Sequence, residues 1–237
     1  MVRVLFVCLG NICRSPMAEF IFKDLVKKKD LSSYISARSV ATSFETRGED
    51  MHIEAKAKLD EKNIPYIKRR ARRLNKSDYQ HYDYIIGMDE SNINNIMRII
   101  EDDPDKKVYK LLDFTNNTRD IADPWYTGNF TVAFNDILEG CKTLLDSIIK
   151  KYEIETGEEN LSTAEILKKI NNNIYNFTKI TPNEFHVIEY LALASRMLEI
   201  HMNISAFENS EMTDEEMFPS LKEYNKEINE YLFRFKK

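Results

Sequence analysis

The sequence predicts an α/β fold, a parallel sheet covered by helices on both faces, followed by an all-α extension of about three helices. Three observations carry this. Short apolar, largely β-branched runs alternate with helix-like segments from Val2 to about Lys151. Past a polar, Gly-containing stretch at residues 152–160 the strand-like runs stop. The charge also divides there: residues 1–157 hold 25 basic and 25 acidic side chains and residues 158–237 hold 9 and 14, so the net charge of −5 sits in the second part. The expected organisation is one domain over 1–157 and a helical extension over 158–237.

Val2–Val7 is apolar apart from Arg3 and reads as a buried strand. Pro16 suits a first helical position, where its missing N–H costs nothing. From there Met17, Phe20, Ile21, Asp24, Leu25 and Lys28 form a helical stripe with a polar back. Lys27, Lys28 and Lys29 fall in its last turn, where positive charge complements the helix dipole. Tyr34–Val40 is a second strand. Residues 51–63 follow a helical period with Ile53, Ala57 and Leu59 as the apolar face. Tyr82–Met88 is a third strand, and residues 89–101 a helix carrying Ile93, Ile96, Met97 and Ile100. Val108–Leu112 is a fourth strand, and residues 130–151 a long helix. In the extension Ser162-x-x-Glu165, Thr181-x-x-Glu184 and Thr213-x-x-Glu216 match the capping box. Each precedes an apolar series: Leu167, Ile170, Ile174, Phe177; then Phe185, Ile188, Leu191, Leu198; then Met217, Leu221, Tyr224, Ile228, Tyr231, Phe235.

Composition excludes several classes. No apolar run reaches the roughly 18 residues of a membrane span, and the short N-terminal apolar run does not make a signal peptide. The chain reads as cytoplasmic, with no membrane partner. A net charge of −5 argues against a general nucleic-acid binder. The run Lys68-Arg69-Arg70-Ala71-Arg72-Arg73 reads as a solvated loop near the sheet edge. Three cysteines make no disulfide framework and, with no histidine at ligand spacing, no metal site. His52, His81, His186 and His201 read as surface or core residues, and Cys141 as core.

In a parallel sheet, ligands bind beyond the carboxyl ends of the strands. Cys8 lies at such an end, Asp89 at another, and the loop 113–129 opens on the same edge. A strand, Cys8, a short loop with Gly10 and Asn11, then Arg14, Ser15 and Pro16 at a helix start make an anion site. Several backbone N–H groups converge there, and the helix dipole favours negative charge. The same field favours the thiolate form of Cys8, and Ser15 can donate a hydrogen bond to it. Arg14 can grip two phosphate oxygens side by side. Gly10 and Asn11 tolerate the left-handed backbone such a loop needs. A thiolate beneath a bound phosphate is equipped for phosphoryl transfer to sulfur. The ATP-binding pattern Gly-x4-Gly-Lys-Ser/Thr is absent.

The run Cys8-Leu9-Gly10-Asn11-Ile12-Cys13-Arg14-Ser15-Pro16 closely resembles the signature of the low-molecular-weight protein tyrosine phosphatases. Asp123-Pro124-Trp125-Tyr126 resembles that family's acid-bearing loop. Ser39-Val40-Ala41-Thr42-Ser43 and Gly87-Met88-Asp89 also match, and the resemblance covers residues 1 to about 152. It implies a flavodoxin-like three-layer fold with a four-stranded parallel sheet and a two-step reaction without metal or other cofactor. It further implies Cys8 as nucleophile, Arg14 as phosphate ligand and Asp123 as general acid, then base. Leu9, Gly10, Asn11, Ile12, Cys13 and Ser15 would complete the phosphate loop, with Ser39 supporting it. Trp125 and Tyr126 would wall the slot for a flat aromatic substrate, a phosphotyrosine in a protein or peptide. In this family the cysteine corresponding to Cys13 can form a disulfide with the nucleophile, shielding it from irreversible oxidation.

Related protein arginine phosphatases carry Thr where this chain has Ile12, which favours phosphotyrosine. Arsenate reductases of similar fold need a distal Cys pair, and only Cys141 lies outside the loop. A phosphate-binding module without turnover is disfavoured because nucleophile, Arg and acid are all present. The stretch 44–51 lacks a proline common in the family, a departure that bears on substrate preference. The extension carries no catalytic motif. Its helices are expected to pack against each other or against the first domain, with contact to a partner or a second copy as the sharper alternative.

Overall fold

The computed structural model describes residues 1–152, 154, 163–177, 187–208 and 213–235. The strands are β1 (Val2–Cys8), β2 (Ile35–Ala41), β3 (Tyr84–Gly87) and β4 (Val108–Lys110). They form one parallel sheet in the order β2-β1-β3-β4. The helices of this part are α1 (Arg14–Lys28), α2 (Ile53–Glu61), α3 (Asp78–His81), α4 (Glu90–Ile100), α5 (Pro124–Thr127) and α6 (Phe130–Lys151). This is the expected flavodoxin-like arrangement. Reversal of strand order at β1 opens a crevice at its carboxyl end.

Strand alternation sorts the core onto two faces. Leu5 and Val7 of β1, with Val40 and Ile85, meet Ile96 and Ile100 of α4. Phe6 points the other way and meets Phe22 of α1 edge-on, with ring centroids 5.5 Å apart. Between the sheet and α6, α1 is buried nearly all round over its first half, including Glu19. The expected polar back is therefore confined to its end. At Gly140 of α6, a Cβ would sit 2.6 Å from Leu111 Cγ and 3.1 Å from Leu111 O. Only a bare Cα lets that helix lie against the 3₁₀ turn Leu111–Phe114 that follows β4.

Several elements depart from expectation. The helix α1 starts at Arg14, two residues before Pro16, because the loop itself turns into the helix. Pro16 still costs nothing there: the carbonyl its N–H would have met, that of Ile12, accepts from His52 N at 2.8 Å. Leu112 lies in the 3₁₀ turn and not in β4. On α2, Ala55 and Leu59 are buried, while Ile53 and Ala57 face solvent. The short helices α3 and α5 carry too few residues for a period to show.

The contacts divide the chain into two compact units, Met1–Glu153 and Ile154–Lys237. In the second, α7 (Thr163–Phe177), α8 (Val187–Glu208) and α9 (Asp214–Phe235) supply an apolar core of Ile166, Ile170, Met197, Ile200, Ile204, Leu221 and Ile228. Arg196 grips Glu227 through two bonds of 2.7 and 2.9 Å. Leu198, expected in the buried series, is 60% exposed, because the buried stripe of α8 runs through Met197, Ile200 and Ile204. The boxes at Ser162 and Thr181, and the residues Phe177, Phe185, Ile188, Leu191, Tyr231 and Phe235, fall wholly or by their side chains outside the described residues. Among the described residues no helix is long and apolar enough to cross a membrane.

Substituting Gly140→Ala tests the α6 contact. Ala gains about 1 kcal/mol of helix propensity, yet overpacking against Leu111 costs about 1–3 kcal/mol. A net fall in Tm is expected; an unchanged or higher Tm would show that the contact yields freely.

Candidate active site

Cys8 ends β1 and is 3% exposed. The chain then turns through Asn11, whose φ of +57° puts it in the left-handed region. That conformation aims Asn11 N at Cys8 Sγ, 3.2 Å away. Ser15 Oγ lies 3.0 Å from the same sulfur. The side-chain amide of Asn11 donates to Ser15 Oγ at 2.8 Å, so the serine's own proton goes to an acceptor, with Cys8 Sγ at 3.0 Å and Val40 O at 3.4 Å within reach. Gly10 does not take a left-handed conformation, contrary to expectation. It is needed for space, since a Cβ would meet Thr46 Oγ1 at 3.1 Å. Thr46 hydrogen-bonds Gly10 O through that hydroxyl.

The segment after β2 clamps the loop from outside. Thr42 N and Ser43 N donate to the carbonyls of Cys8 and Leu9, both at 2.9 Å. From beneath, Arg69 donates to Asn11 O at 2.7 Å and Asn11 Oδ1 at 2.5 Å, and also reaches Ser39 O at 3.3 Å. The basic run is a loop in which Lys68, Arg70 and Arg72 are exposed, as expected, but not all of it is solvated. Arg69 is bound under the phosphate loop and Arg72 pairs with Asp78 at 2.8 and 2.9 Å, because residues 71–74 bond along the end of β2. Ser39 supports the loop only indirectly: its hydroxyl donates to buried Glu19 at 2.6 Å.

Arg14 is 2% exposed. Its guanidinium donates to Asp89 Oδ2 and Asp123 Oδ2, each at 2.5 Å, and to Ile121 O at 2.9 Å. Burial alone would weaken its hold on its proton; Cys8, Asp123 and Asp89 outweigh that and push the group above its ordinary range. Asp123 caps α5, accepting from Trp125 N at 3.1 Å, which aims its other oxygen at Arg14. Trp125 rests edge-on against His52, and His52 stacks on Phe130 with centroids 5.3 Å apart.

A cleft of about 280 Å³ joins these parts. Cys8, Leu9, Gly10, Ile12, Cys13, Arg14, Asp123, Trp125 and Tyr126 line it, as expected from the sequence, together with Glu45, Thr46 and Glu49. Asn11 and Ser15 lie beneath the loop, fully buried, and act on the sulfur. Sequence reasoning missed Arg69 and His52 as members of the site. It placed Asp89 at the ligand edge and linked the stretch 44–51 to substrate preference, without assigning roles to Asp89, Glu45, Thr46 or Glu49.

A family model described as low molecular weight phosphotyrosine protein phosphatase matches residues 3–154. The chain belongs to this family. The low molecular weight protein-tyrosine-phosphatase YfkJ of Bacillus subtilis is 39% identical over 156 residues, 65% of this chain and all of YfkJ. PtpA of Staphylococcus aureus is 37% identical over 158 residues, 66% of this chain and all of PtpA. The crystal structure of YfkJ matches with a TM-score of 0.62 and 40% identity, covering 64% of this chain and 96% of that one. The low molecular weight phosphatase family is one of enzymes, and its substrates are phosphoproteins. Residues 155–237 lie outside the match.

Two predictions follow from charge in the site of this phosphatase. Burial, then the charges of Cys8 and Asp123, push the Cys13 thiol up to about 12, and burial alone raises Cys141 well above its ordinary value. Iodoacetamide at neutral pH should therefore label Cys8 alone, and phosphate should slow it; comparable labelling of Cys13 would contradict this. Asp50 accepts from Lys56 at 2.8 Å, from Met51 N at 2.8 Å and from Arg69 N at 3.1 Å. Partial burial opposes its charge, yet these bonds bring the carboxyl from 3.8 down to about 2. A depressed folded value gives stability above the unfolded value that is lost as pH falls through the folded one. The Tm of Asp50→Asn should lie below wild type at pH 7, and the gap should close between about pH 4 and pH 2. A gap independent of pH would remove Asp50 from this role.

Proposed function

We propose that this protein hydrolyses phosphotyrosine in proteins through a phosphocysteine intermediate, with Cys8 as nucleophile, Arg14 as phosphate ligand and Asp123 as general acid and base. The reading rests most on Arg14. Its Nε is buried and, among the described residues, has no acceptor, although the other two nitrogens are bonded. A buried N–H of a charged group costs free energy when unpaired. A phosphate oxygen above Cys8 Sγ supplies the partner.

The phosphate dianion takes over donors of Arg14 and releases Asp123 Oδ2 to face the leaving oxygen. The Cys8 thiolate, whose Sγ lies 3.2 Å from Asn11 N and 3.0 Å from Ser15 Oγ, attacks phosphorus in line. The P–O bond to the tyrosine ring breaks, and protonated Asp123 gives its proton to that oxygen. Without that proton the phenolate is a poor leaving group. In the second step Asp123 takes a proton from water, the water oxygen attacks phosphorus, and the S–P bond breaks. Inorganic phosphate leaves and the thiolate is restored. Charge on the equatorial oxygens is met throughout by Arg14 and the loop N–H groups.

Trp125 and Tyr126 stand 59% and 75% exposed at the rim, and Ile12 adds an apolar wall. A flat ring fits between such surfaces. We assign this chemistry to residues 1–157 as one domain, and to 158–237 a helical unit outside the reaction.

The test is hydrolysis of para-nitrophenyl phosphate and a phosphotyrosine peptide by the full chain. Cys8→Ser should abolish both. Asp123→Ala should lower kcat on the peptide by about 10²–10⁴, with peptide affinity little changed. Activity in Cys8→Ser, or unchanged kcat in Asp123→Ala, would refute the assignment.

A further inference from the structure

Leu9 has a cavity on each side. One is the reaction cleft. The other is a depression of about 520 Å³ lined by Leu9, Thr42, Ser43, Arg73, Asn95, Arg98 and Ile99. It lies at the carboxyl edge of the sheet, where Thr42 and Ser43 leave β2 and α4 turns its Asn95–Ile99 stretch toward them. Two guanidinium groups line it, and no carboxylate does.

Neither arginine is used up by the fold. Arg73 donates Nε to Thr42 O at 2.9 Å and lies over the Phe44 ring, 4.2 Å from its centroid. Arg98 makes one long bond, 3.4 Å, to Asn95 Oδ1. Among the described residues neither has an ion-pair partner. Arg14, Arg72, Arg119 and Arg196, by contrast, each hold a carboxylate. Thr42 lines the same depression, is only 7% exposed, and its Oγ1 is buried with no hydrogen-bond partner among the described residues. An unpaired buried hydroxyl is destabilising, and such exceptions call for a ligand or a role.

We propose that this depression is a second anion subsite, which takes a phosphate or carboxylate carried by the substrate chain within a few residues of the phosphotyrosine. Two guanidinium groups that hold no carboxylate, with a hydroxyl donor, suit a tetrahedral or planar oxyanion. Leu9 is the shared wall, so a peptide with phosphotyrosine in the cleft crosses it to reach the depression. Glu45 and Glu49 line the cleft, so negative charge gains only in the direction of Leu9. The inference rests on the phosphotyrosine reading.

Fluorescence anisotropy of the full-length Cys8→Ser protein decides the matter. The probes are one peptide with phosphotyrosine alone and versions with an added phosphoserine at each of the three positions before or after it. On one side of the phosphotyrosine, at least one version should bind about tenfold tighter, a gain that shrinks with salt. Arg98→Ala and Thr42→Val should each remove most of the gain, and Arg98→Glu should turn it into a penalty. No gain at any position, or a gain that survives both substitutions, would overturn the proposal. Failure of the phosphatase reading shows elsewhere, as a wild-type chain that leaves the phosphotyrosine-only peptide unhydrolysed.

Discussion

The site depends on one residue held in an unfavourable backbone conformation. Asn11 must sit in the left-handed region for its N–H to point at Cys8 Sγ. Asn is among the few residues with a side chain that visit that region readily, but tolerance does not choose the conformation. Arg69 does, by taking both the backbone carbonyl and the side-chain oxygen of Asn11. The Asn11 amide is thereby left with only its nitrogen to offer Ser15. One planar guanidinium thus sets the backbone turn and the amide orientation. Lysine has no fork with which to do this.

Charge is arranged around that turn so that each buried ion has a partner. Arg14 lies between Asp89 and Asp123, and Glu19 receives Ser39 and Lys23. Asp50 ties residues 50–51 and Lys56 to the backbone of Arg69. Buried charge is expensive unless paired, so among the described residues of the first unit the two buried side-chain atoms without a hydrogen-bond partner stand out. Arg14 Nε lies at the reaction cleft, and Thr42 Oγ1 lies in the basic depression on the other side of Leu9. Both gaps are donors where an oxyanion would be welcome.

Most of the fold was legible in the sequence. Strands with β-branched residues and helices with a 3.6-residue period announce themselves locally, and the long helix 130–151 matched at both ends. Legibility failed where neighbours from elsewhere choose the buried face. Ile53 looks like a core residue and is 76% exposed, because α2 packs through Ala55 and Leu59. Leu198 fails likewise, since α8 presents Met197, Ile200 and Ile204 to its partners. The start of α1 was misplaced because Pro16 marks helices that begin with it, whereas here the loop feeds straight into the helix at Arg14.

The sequence by itself determined the presence of Cys8, Arg14 and Ser15 on one strand-loop-helix turn. Six or seven residues of chain limit how far apart they can lie. It also placed Asp123 in the strand-end loop 113–129 that opens on the same edge. Only the tertiary structure decided what touches them. Arg14 meets Asp89 and Asp123 across 75 and 109 residues of chain, and Arg69 meets Asn11 across 58. Contacts at such separations leave no spacing in a sequence to read, and a run such as Lys68–Arg73 looks alike whether its members face water or a buried loop. The residue that orders the opening loop was therefore hidden among four basic neighbours until the fold brought it beneath Asn11.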